Sequence, residues 1–239
     1  MSTSPPDTAH DTAADAAQET AADVAQDTAA DARADAGTPA PPTAHDFDAL
    51  YARSDDPWHF DGSWYEARKR RLLLASLPHA RYARAFEPGC ATGLLTAELA
   101  PRCDQLLASD GAERALATAA ARLADQPQVA FARLWLPGDW PSGRFDLIVL
   151  SEFVYYLAPA DIDRLAECVR ESLVPGGVVA ACHWRRPIDG CALAGDAVQE
   201  RLHARMGLRQ VTDVRDADFR LGVWTSAASA SVADSEARG

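Results

Sequence analysis

The chain has 239 residues, of which 48% are hydrophobic and 24% charged, and its formal net charge at pH 7 is -12. A chain of this length has room for one domain with a sizeable core. Residues 1–46 hold nine acidic side chains and one basic side chain, so they carry -8 of the charge and the remainder carries about -4. The sequence has neither a strongly basic segment nor a run of roughly 18 apolar residues, which argues against nucleic-acid and membrane partners.

The N-terminus shows neither the positively charged flank nor the apolar core of a secretory signal, so we expect a cytoplasmic protein. The five cysteines form no CxxC pair. An odd number of cysteines without such a pair is typical of free thiols in a reducing compartment. We therefore expect neither a disulfide framework nor a bound metal. The cysteines are Cys90, Cys103, Cys168, Cys182 and Cys191.

The first segment of the chain is an acidic repeat. The octads DTAADAAQ, ETAADVAQ and DTAADARA follow one another over residues 11–34. Like charges at every fourth place repel one another on a helix, and the repeat offers no large apolar side chain to bury. We expect residues 1–46 to be disordered, residues 47–225 to form the folded domain, and residues 226–239 to be a disordered tail. The repeat is either a solubilising tail or an acidic tether for a basic partner.

Helical and strand patterns alternate through the rest of the chain. The strands are near-continuous apolar runs, which are typical of a parallel sheet covered on both faces. The last two strands are too close in sequence for a crossover, so they must pair antiparallel. We predict an α/β fold with a doubly wound, mostly parallel, seven-stranded Rossmann-like sheet that ends in an antiparallel hairpin. The predicted strands are YARAFEP, QLLASD, VAFARLWL, FDLIVLSE, GGVVAACHW, LRQVTDV and DFRLGVWT, and the predicted helices are SWYEARKRRLLLASL, LLTAELA, ERALATAAARLA, ADIDRLAECVRESL and residues 196–206.

A glycine turn joins the first predicted strand to the next helix. It reads EPGCATG over residues 87–93, with glycines at Gly89 and Gly93. Glycines let the backbone approach a ligand closely, and the first turn of a helix presents free amide groups. The spacing differs from the GxGxxG of a dinucleotide site, and Glu87 would repel a pyrophosphate. A carboxylate at this place suits a ligand with an ammonium or sulfonium group.

Asp110 ends the second predicted strand, 21 residues after Gly89. An acidic residue at this place in a βαβ unit binds the ribose hydroxyls of an adenosine. The turn and the carboxylate together predict a nucleoside ligand that carries a cationic group. A dinucleotide-dependent oxidoreductase, and a tight turn that binds no ligand, are the alternatives on the residues alone.

These motifs resemble those of the class I S-adenosylmethionine-dependent methyltransferases. FEPGCATG is similar to the first motif of that class, FDLIVLSE to its fourth-strand motif and LVPGGVVA to the loop before strand five. DPWHFDGSWYEARKRRLLLASL, GDWPSGRFDLIVLSEFVYYL and HWRRPIDGCALAGDAV resemble, more narrowly, the nodulation protein S (NodS) family. The resemblance covers residues 47–225. It implies S-adenosyl-L-methionine as the cofactor and N-methylation of an amino sugar in an oligosaccharide precursor, or of another small-molecule acceptor.

The resemblance also implies which residues bind the cofactor. Glu87 or the backbone near Gly89 would meet the methionyl ammonium, and Arg68 or Lys69 the methionyl carboxylate. Trp64, Tyr65 and Arg68 belong to a helix that lies over the cofactor in relatives and could help close the site, although the same helix could simply present its basic face to solvent. The implied cofactor-binding residues are Glu87, Gly89, Cys90, Ala91, Gly93, Asp110, Gly111, Leu134, Trp135, Ser151, Tyr65 and Arg68.

The sequence departs from the class after the third strand. Many relatives carry an acidic residue there that accepts a hydrogen bond from the adenine amino group, whereas this chain has Leu134 and Trp135. Trp135 could stack on the adenine while the amide of Leu134 reaches the ring, or Asp139 could reach the ring from a shifted loop. A third interpretation is that Trp135 is part of the core.

Two residues are candidates for catalysis. Methyl transfer from a sulfonium is an in-line displacement, so the protein mainly aligns the reacting atoms. Glu152, at the end of the fourth strand, could take a proton from an amine or orient it; the alternative is a cap on the following turn. His183, at the end of the fifth strand, is the second candidate, although a lone strand-end histidine is often structural.

Two further functions stay open on the sequence. O-methylation of a small hydroxyl metabolite would need a stronger base or a metal held by several carboxylates. A non-catalytic module that binds the cofactor is the other alternative. The sequence predicts no oligomeric state.

Overall fold

The computed structural model of the chain describes residues 41–226 and the pair 232–233. The predictions for the acidic repeat and for most of the tail lie outside the described residues. No helix in the part that is described is long and apolar enough to cross a membrane.

Seven strands form one sheet in the described part of the chain: β1 (Tyr82–Pro88), β2 (Cys103–Asp110), β3 (Val129–Arg133), β4 (Phe145–Ser151), β5 (Leu173–Trp184), β6 (Arg209–Arg215) and β7 (Phe219–Thr225). Their order across the sheet is β3-β2-β1-β4-β5-β7-β6. Strands β1 to β5 pair in parallel, and β7 pairs antiparallel with both β5 and β6. The predicted fold class is therefore confirmed, including the terminal hairpin.

Helices pack on the sheet and on its edge. Within residues 41–226 the α-helices are α1 (Ala44–Arg53), α2 (Trp64–Ser76), α3 (Leu94–Leu99), α4 (Glu113–Arg122), α5 (Pro159–Ser172) and α6 (Gly195–Met206). The sequence patterns predict no helix before Ser63, so α1 is an addition, and it begins ahead of the expected domain start at residue 47. Its first turn is closed by a capping box, in which the Thr43 amide donates to Asp46 Oδ2 at 2.7 Å, and the Thr43 hydroxyl also donates to that oxygen. A capping box satisfies amide groups that a helix start would otherwise leave unpaired.

The sheet is buried on both faces. Along β4, Ile148 and Leu150 join one core while Leu147 and Val149 join the other, and all four side chains are fully buried. Successive side chains of a strand point to opposite faces. A strand covered on both sides therefore appears in the sequence as an unbroken apolar run.

The winding of the sheet reverses between β1 and β4, which are neighbours in the sheet although β2 and β3 lie between them in sequence. Crevices at such reversals are the usual ligand sites of open α/β sheets. The predicted bounds of β2 to β7 differ from the observed ones by one to three residues at one or both ends, and the largest differences are at the start of β5 and at the end of β3. β3 ends at Arg133 rather than at residue 136, because the next residues form a turn in which the Asp139 amide donates to the Trp135 carbonyl at 3.0 Å.

Candidate active site

A cleft opens along the carboxyl ends of the strands at this reversal. The empty space in it, counted together with the solvent at its open mouth, is about 1200 Å³. The lining follows the strand order: Trp135 comes after β3, Asp110 ends β2, Gly89 follows β1, Glu152 follows β4 and Trp184 ends β5. A long ligand in the cleft would meet these residues in that order.

The glycine turn forms the middle of the cleft floor. Gly89, Ala91 and Gly93 all have positive φ, at 68°, 49° and 79°. A Cβ atom on Gly89 would lie 3.0 Å from the Phe153 side chain, so glycine is needed there for packing as well as for conformation. The turn is tied to β2 because the Cys90 amide donates to the Ser109 carbonyl at 2.9 Å.

Asp110 is held in one orientation at the cleft wall. Its Oδ2 accepts from the Ala91 amide at 2.9 Å and its Oδ1 from the Ala112 amide at 2.9 Å. Burial raises the pKa of the Asp110 carboxyl, and these two hydrogen bonds oppose that rise. Each oxygen keeps lone-pair capacity for a hydroxyl donor in the cleft.

Glu87 lies behind the glycine turn and not on the cleft wall. Its side chain is 2% exposed, and Oε2 has no hydrogen-bond partner among the described residues. Burial raises the pKa of this carboxyl to about 8. A buried carboxylate oxygen without a partner is costly, and a nearby cation would remove that cost.

Glu152 stands at the other end of the cleft in a strained backbone conformation, with φ at 59°. Such a conformation costs on the order of 1 kcal/mol for a residue other than glycine and persists only where contacts enforce it. The contacts here are made by the carboxylate. Oε2 accepts from the Tyr155 hydroxyl at 2.8 Å and from the Trp184 amide at 3.1 Å, and Oε1 lies 2.8 Å from Lys69 Nζ.

Lys69 joins two carboxylates inside the cleft. Its Nζ lies 2.8 Å from Glu66 Oε1 and 2.8 Å from Glu152 Oε1, and the lysine side chain is 5% exposed. Burial acts to lower the pKa of Lys69, but the charges of Glu152 and Glu66 outweigh it and raise that pKa well above the ordinary value. Burial acts to raise the pKa of Glu152, but Lys69 outweighs it and lowers that pKa. Two carboxylates and one ammonium leave this part of the cleft with a net negative charge.

Aromatic side chains from α1 and the loop after it cover the cleft. The Phe47 ring centroid lies 5.2 Å from that of Tyr156 and 6.2 Å from that of Trp135. Tyr51 packs against Trp58 with centroids 5.5 Å apart. Helix α1 therefore forms the outer wall of the cleft on the β3 side.

Asp48 fixes α1 to the sheet. Its Oδ1 accepts from the Glu113 amide at the start of α4, and its Oδ2 accepts from Arg133 Nη2, both at 3.0 Å. Arg133 Nε in turn donates to the Gly111 carbonyl at 2.9 Å. The cover and the end of β2 are thus connected by hydrogen bonds.

The predicted site residues fall into three groups. Glu87, Cys90 and Gly93 shape the turn from behind, and the ring of Tyr65 supports Lys69 with its centroid 5.1 Å from Nζ. Arg68 and His183 lie away from the cleft. The predicted residues on the cleft wall are Gly89, Ala91, Asp110, Gly111, Leu134, Trp135, Ser151 and Glu152.

Two assignments need correction. Arg68 points away from the cleft, because its guanidinium pairs with Asp216 at 2.7 Å and lies over the Phe219 ring. His183 is fully buried beside Gln199, whose Nε2 is 3.1 Å from His183 Nδ1. Burial lowers the pKa of His183 to about 4, so the imidazole is neutral at pH 7 and has no access to an acceptor.

The interpretation of the loop after β3 also changes. The Leu134 amide donates to the Asp110 carbonyl at 3.1 Å, and Asp139 Oδ2 accepts from the Trp135 amide at 2.9 Å. The Leu134 amide is therefore not free to donate to an adenine. Asp139 is tied to this turn through Oδ2, and although its carboxylate keeps lone-pair capacity it is not among the residues that line the cleft. Trp135 is 39% exposed and lines the cleft, so it is not a core residue.

Sequence reasoning missed part of the cleft wall. No motif in the sequence marks Glu66, and the sequence does not distinguish Lys69 from Arg68 as the residue that enters the cleft. The aromatic cover was missed because no helix was predicted for residues 44–53. Its signals were the Thr43 and Asp46 capping pair and the aromatic residues four places apart at 47 and 51.

Comparison with known proteins identifies relatives of this chain. A family model described as Nodulation protein S (NodS) matches residues 43–175. Nodulation protein S of Rhizobium tropici is 33% identical over 130 residues, which are 52% of this chain and 53% of that protein. This chain therefore spans about half the length of the curated relatives it matches.

Solved structures agree with this match. A candidate methyltransferase from Pseudomonas syringae is 45% identical, with a TM-score of 0.60 over 68% of this chain and 99% of that one. The N-methyltransferase NodS from Bradyrhizobium japonicum WM9, in complex with S-adenosyl-L-homocysteine, is 26% identical, with a TM-score of 0.69 over 77% of this chain and 98% of that one. The family model covers more than half of this chain, and the predicted resemblance is confirmed. The chain belongs to the nodulation protein S family.

Proposed function

We propose that this protein is an S-adenosylmethionine-dependent methyltransferase that transfers the methyl group to an amine of a small molecule, with an amino sugar or oligosaccharide as the first candidate acceptor. The observation that carries the proposal is the order of groups along one cleft. Asp110 stands where a ribose would bind, the glycine turn follows, and the Lys69–Glu152 pair lies beyond it. The similarity to a NodS structure that contains S-adenosyl-L-homocysteine supports the same assignment.

The residues present fit this cofactor. The Asp110 carboxylate is oriented by two amides and faces the cleft, as a ribose clamp requires. Gly89 lines the cleft with its backbone because it has no side chain, and a side chain at this position would collide with Phe153. Glu87, whose pKa burial raises to about 8, can ionise behind the turn when a cation binds nearby, which suits the ammonium and sulfonium groups of the ligand.

When bound, the cofactor supplies a methyl group on a positively charged sulfur. The protein's part is to exclude water and to align the acceptor, which can contribute on the order of 7–11 kcal/mol. The aromatic cover on α1 closes the outer side of the cleft, and Glu152 is locked by three contacts on its inner side. A carboxylate fixed in this way can accept a hydrogen bond from an amine N–H and hold the nitrogen in one direction.

The electrostatics of the inner cleft favour an amine over a hydroxyl. Lys69 keeps Glu152 ionised and lowers its pKa, so the carboxylate is a weak base. A hydroxyl acceptor needs a strong base to become nucleophilic, whereas an amine needs only to lose the proton of its ammonium form. The net negative charge of Glu66, Lys69 and Glu152 also attracts cations.

Calorimetric titration of S-adenosyl-L-homocysteine into the full chain tests the cofactor. We expect micromolar binding by the wild type and at least about tenfold weaker binding by Asp110→Asn. The asparagine side chain keeps one acceptor oxygen where the carboxylate has two, so it cannot accept from both ribose hydroxyls. Asp104→Ala is the matched control, since Asp104 lies at the opposite end of β2 and pairs with the exposed Arg81. Absence of binding by a folded wild type would exclude the proposal.

The acceptor is tested with matched pairs. Glucosamine and de-N-acetylated chitooligosaccharides carry the free amine, and their N-acetylated forms are the controls. Methyl transfer to the free amines alone is expected. Transfer to hydroxyl compounds alone would establish an O-methyltransferase, and cofactor binding without transfer to either panel would favour a non-catalytic module.

A further inference from the structure

The part of the cleft on the β3 side, lined by Phe47, Tyr51, Gly111, Leu134 and Trp135, is here called the base end. Its role follows from the strand order and rests on the proposed function. Asp110 ends β2, and β1 and β4 lie on one side of it while β3 lies on the other. A nucleoside with its ribose at Asp110 and its amino acid group toward Glu152 must therefore place its base at the base end.

Trp135 supplies a flat surface at this end. Its six-membered ring lies directly over Gly111, where a Cβ atom would be 2.5 Å from Cε3 of the indole. The indole thus occupies the space that a side chain at position 111 would fill. The Phe47 ring lies 6.2 Å from it, and the indole keeps 39% of its surface exposed.

The backbone groups around the indole already make hydrogen bonds within the protein. The Leu134 amide donates to the Asp110 carbonyl, and the Trp135 amide donates to Asp139 Oδ2. The Gly111 carbonyl accepts from Arg133 Nε at 2.9 Å. The two amides therefore have no hydrogen left for the edge of a purine, and the Gly111 carbonyl is engaged with the Arg133 guanidinium.

The side chains offer no selective acceptor either. Among the described residues, the carboxylates on the cleft wall are Asp110, at the ribose position, and Glu66 and Glu152, which both pair with Lys69. The hydroxyls of Tyr51 and Tyr156 can donate or accept. They would satisfy an amino or an oxo group equally well.

We infer that this protein holds the purine of its cofactor by stacking on Trp135 and does not distinguish a 6-amino from a 6-oxo substituent. Its ligands then include S-inosyl as well as S-adenosyl nucleosides. Stacking on an aromatic side chain tolerates such changes because every base has a π-face. Selectivity between the two would require a fixed carboxylate or amide at the purine edge.

The test compares S-adenosyl-L-homocysteine with S-inosyl-L-homocysteine by calorimetry on the full chain. We expect dissociation constants within about threefold of each other, whereas loss of one buried hydrogen bond would separate them by about 5- to 150-fold. Trp135→Ala should weaken both ligands by a similar factor of about 5- to 100-fold, the usual effect of removing a stacking partner. Trp135→Phe should recover most of the affinity. Trp64→Ala is the control, because Trp64 is 71% exposed and lies outside the cleft.

The possible results separate the inference from the function on which it rests. Binding of the adenosyl ligand with inosyl binding about fivefold weaker or more would overturn the inference and leave the proposed function intact. Unchanged affinity in a folded Trp135→Ala protein would overturn the stacking role. Failure of both ligands to bind the wild type would contradict the proposed function and the inference together.

Discussion

Glu152 Oε1 and Lys69 Nζ lie 2.8 Å apart on the inner wall of the cleft, and the same nitrogen lies 2.8 Å from Glu66 Oε1. Helix α2 supplies the lysine and the loop after β4 supplies Glu152, so the contact fixes the helix over the strand ends. Breaking a buried pair leaves a charge without its partner, which is far more costly than losing an exposed pair. The contact therefore serves both the stability of the fold and the charge of the proposed acceptor site.

Replacing Lys69 by methionine should lower the free energy of unfolding by about 3–5 kcal/mol, because two buried carboxylates lose their shared cation. Chemical denaturation at pH 7 measures the loss. Lys69→Met combined with Glu152→Gln should recover part of it, since one uncompensated charge is removed. Arg81→Met is the control, because the Arg81–Asp104 pair is exposed and its loss should change stability by at most about 1 kcal/mol. A loss in Lys69→Met no larger than in the control would show that the buried pair is not a structural determinant.

Glu87→Gln should stabilise the ligand-free protein at high pH. The pKa of Glu87 is raised to about 8 by burial, so the folded protein holds this proton while the unfolded chain releases it. The contribution of Glu87 to stability is complete below its unfolded pKa and is lost as the pH rises through about 8. The free energy of unfolding of the wild type, relative to that of the glutamine variant, should therefore fall by about 2–4 kcal/mol between pH 5 and pH 8.

Urea unfolding of the two proteins at both pH values provides this comparison. The same variant should bind S-adenosyl-L-homocysteine more weakly, because glutamine cannot ionise in response to the ligand's ammonium. A stability difference that stays constant with pH would refute the titration of Glu87 in this range.

His183 should produce a pH dependence of the opposite sign. Its pKa is lowered to about 4 by burial, so the unfolded chain binds a proton between about pH 6.5 and 4 that the folded protein does not. Stability from this group is present above the unfolded pKa and is lost as the pH falls toward 4. The difference in the free energy of unfolding between the wild type and His183→Asn should fall by about 2 kcal/mol between pH 7 and pH 5.

The cavity that His183→Asn creates lowers the free energy of unfolding by the same amount at both pH values. The pH-dependent part of the difference between the two proteins therefore reports the titration of the imidazole. Urea unfolding measures it. If His183 instead took part in acceptor binding, the variant would alter the affinity for S-adenosyl-L-homocysteine or transfer to an amine, and we expect neither change.

Asp48→Ala should weaken the binding of S-adenosyl-L-homocysteine without unfolding the domain. Asp48 joins α1 to the start of α4 and to Arg133, so its loss frees the helix that carries Phe47 and Tyr51. Removal of a capping side chain costs about 0.5–2 kcal/mol, which corresponds to roughly 2- to 30-fold in affinity if the cover must be rebuilt on binding. Calorimetry measures the affinity of Asp48→Ala for the ligand. Asp55→Ala is the control, because Asp55 is an exposed residue in the loop after α1. Equal affinities would show that the cover makes no energetic contribution to the ligand.

The unbroken apolar runs of β4 and β5 and the short spacing of the last two strands were enough to predict a parallel sheet with a terminal hairpin. These features depend on local periodicity and on chain length between elements, which are properties of the sequence alone. The position of the site followed from the same information. Glycines at 89 and 93 mark a turn with positive φ, and Asp110 ends the strand beside it.

Tertiary structure alone decided which neighbouring side chain enters the cleft. Arg68 and Lys69 are adjacent on α2, and successive helix residues point about 100° apart, so the packing of the helix sends Lys69 inward to Glu152 and Arg68 outward to Asp216. The same holds for β5, where both faces are buried and the sequence does not show which face His183 joins. Local pattern determines which elements form and where their ends lie, because it acts through the backbone. Partners distant in sequence are chosen only when the elements pack, because charge pairing and burial depend on distances that no local pattern contains.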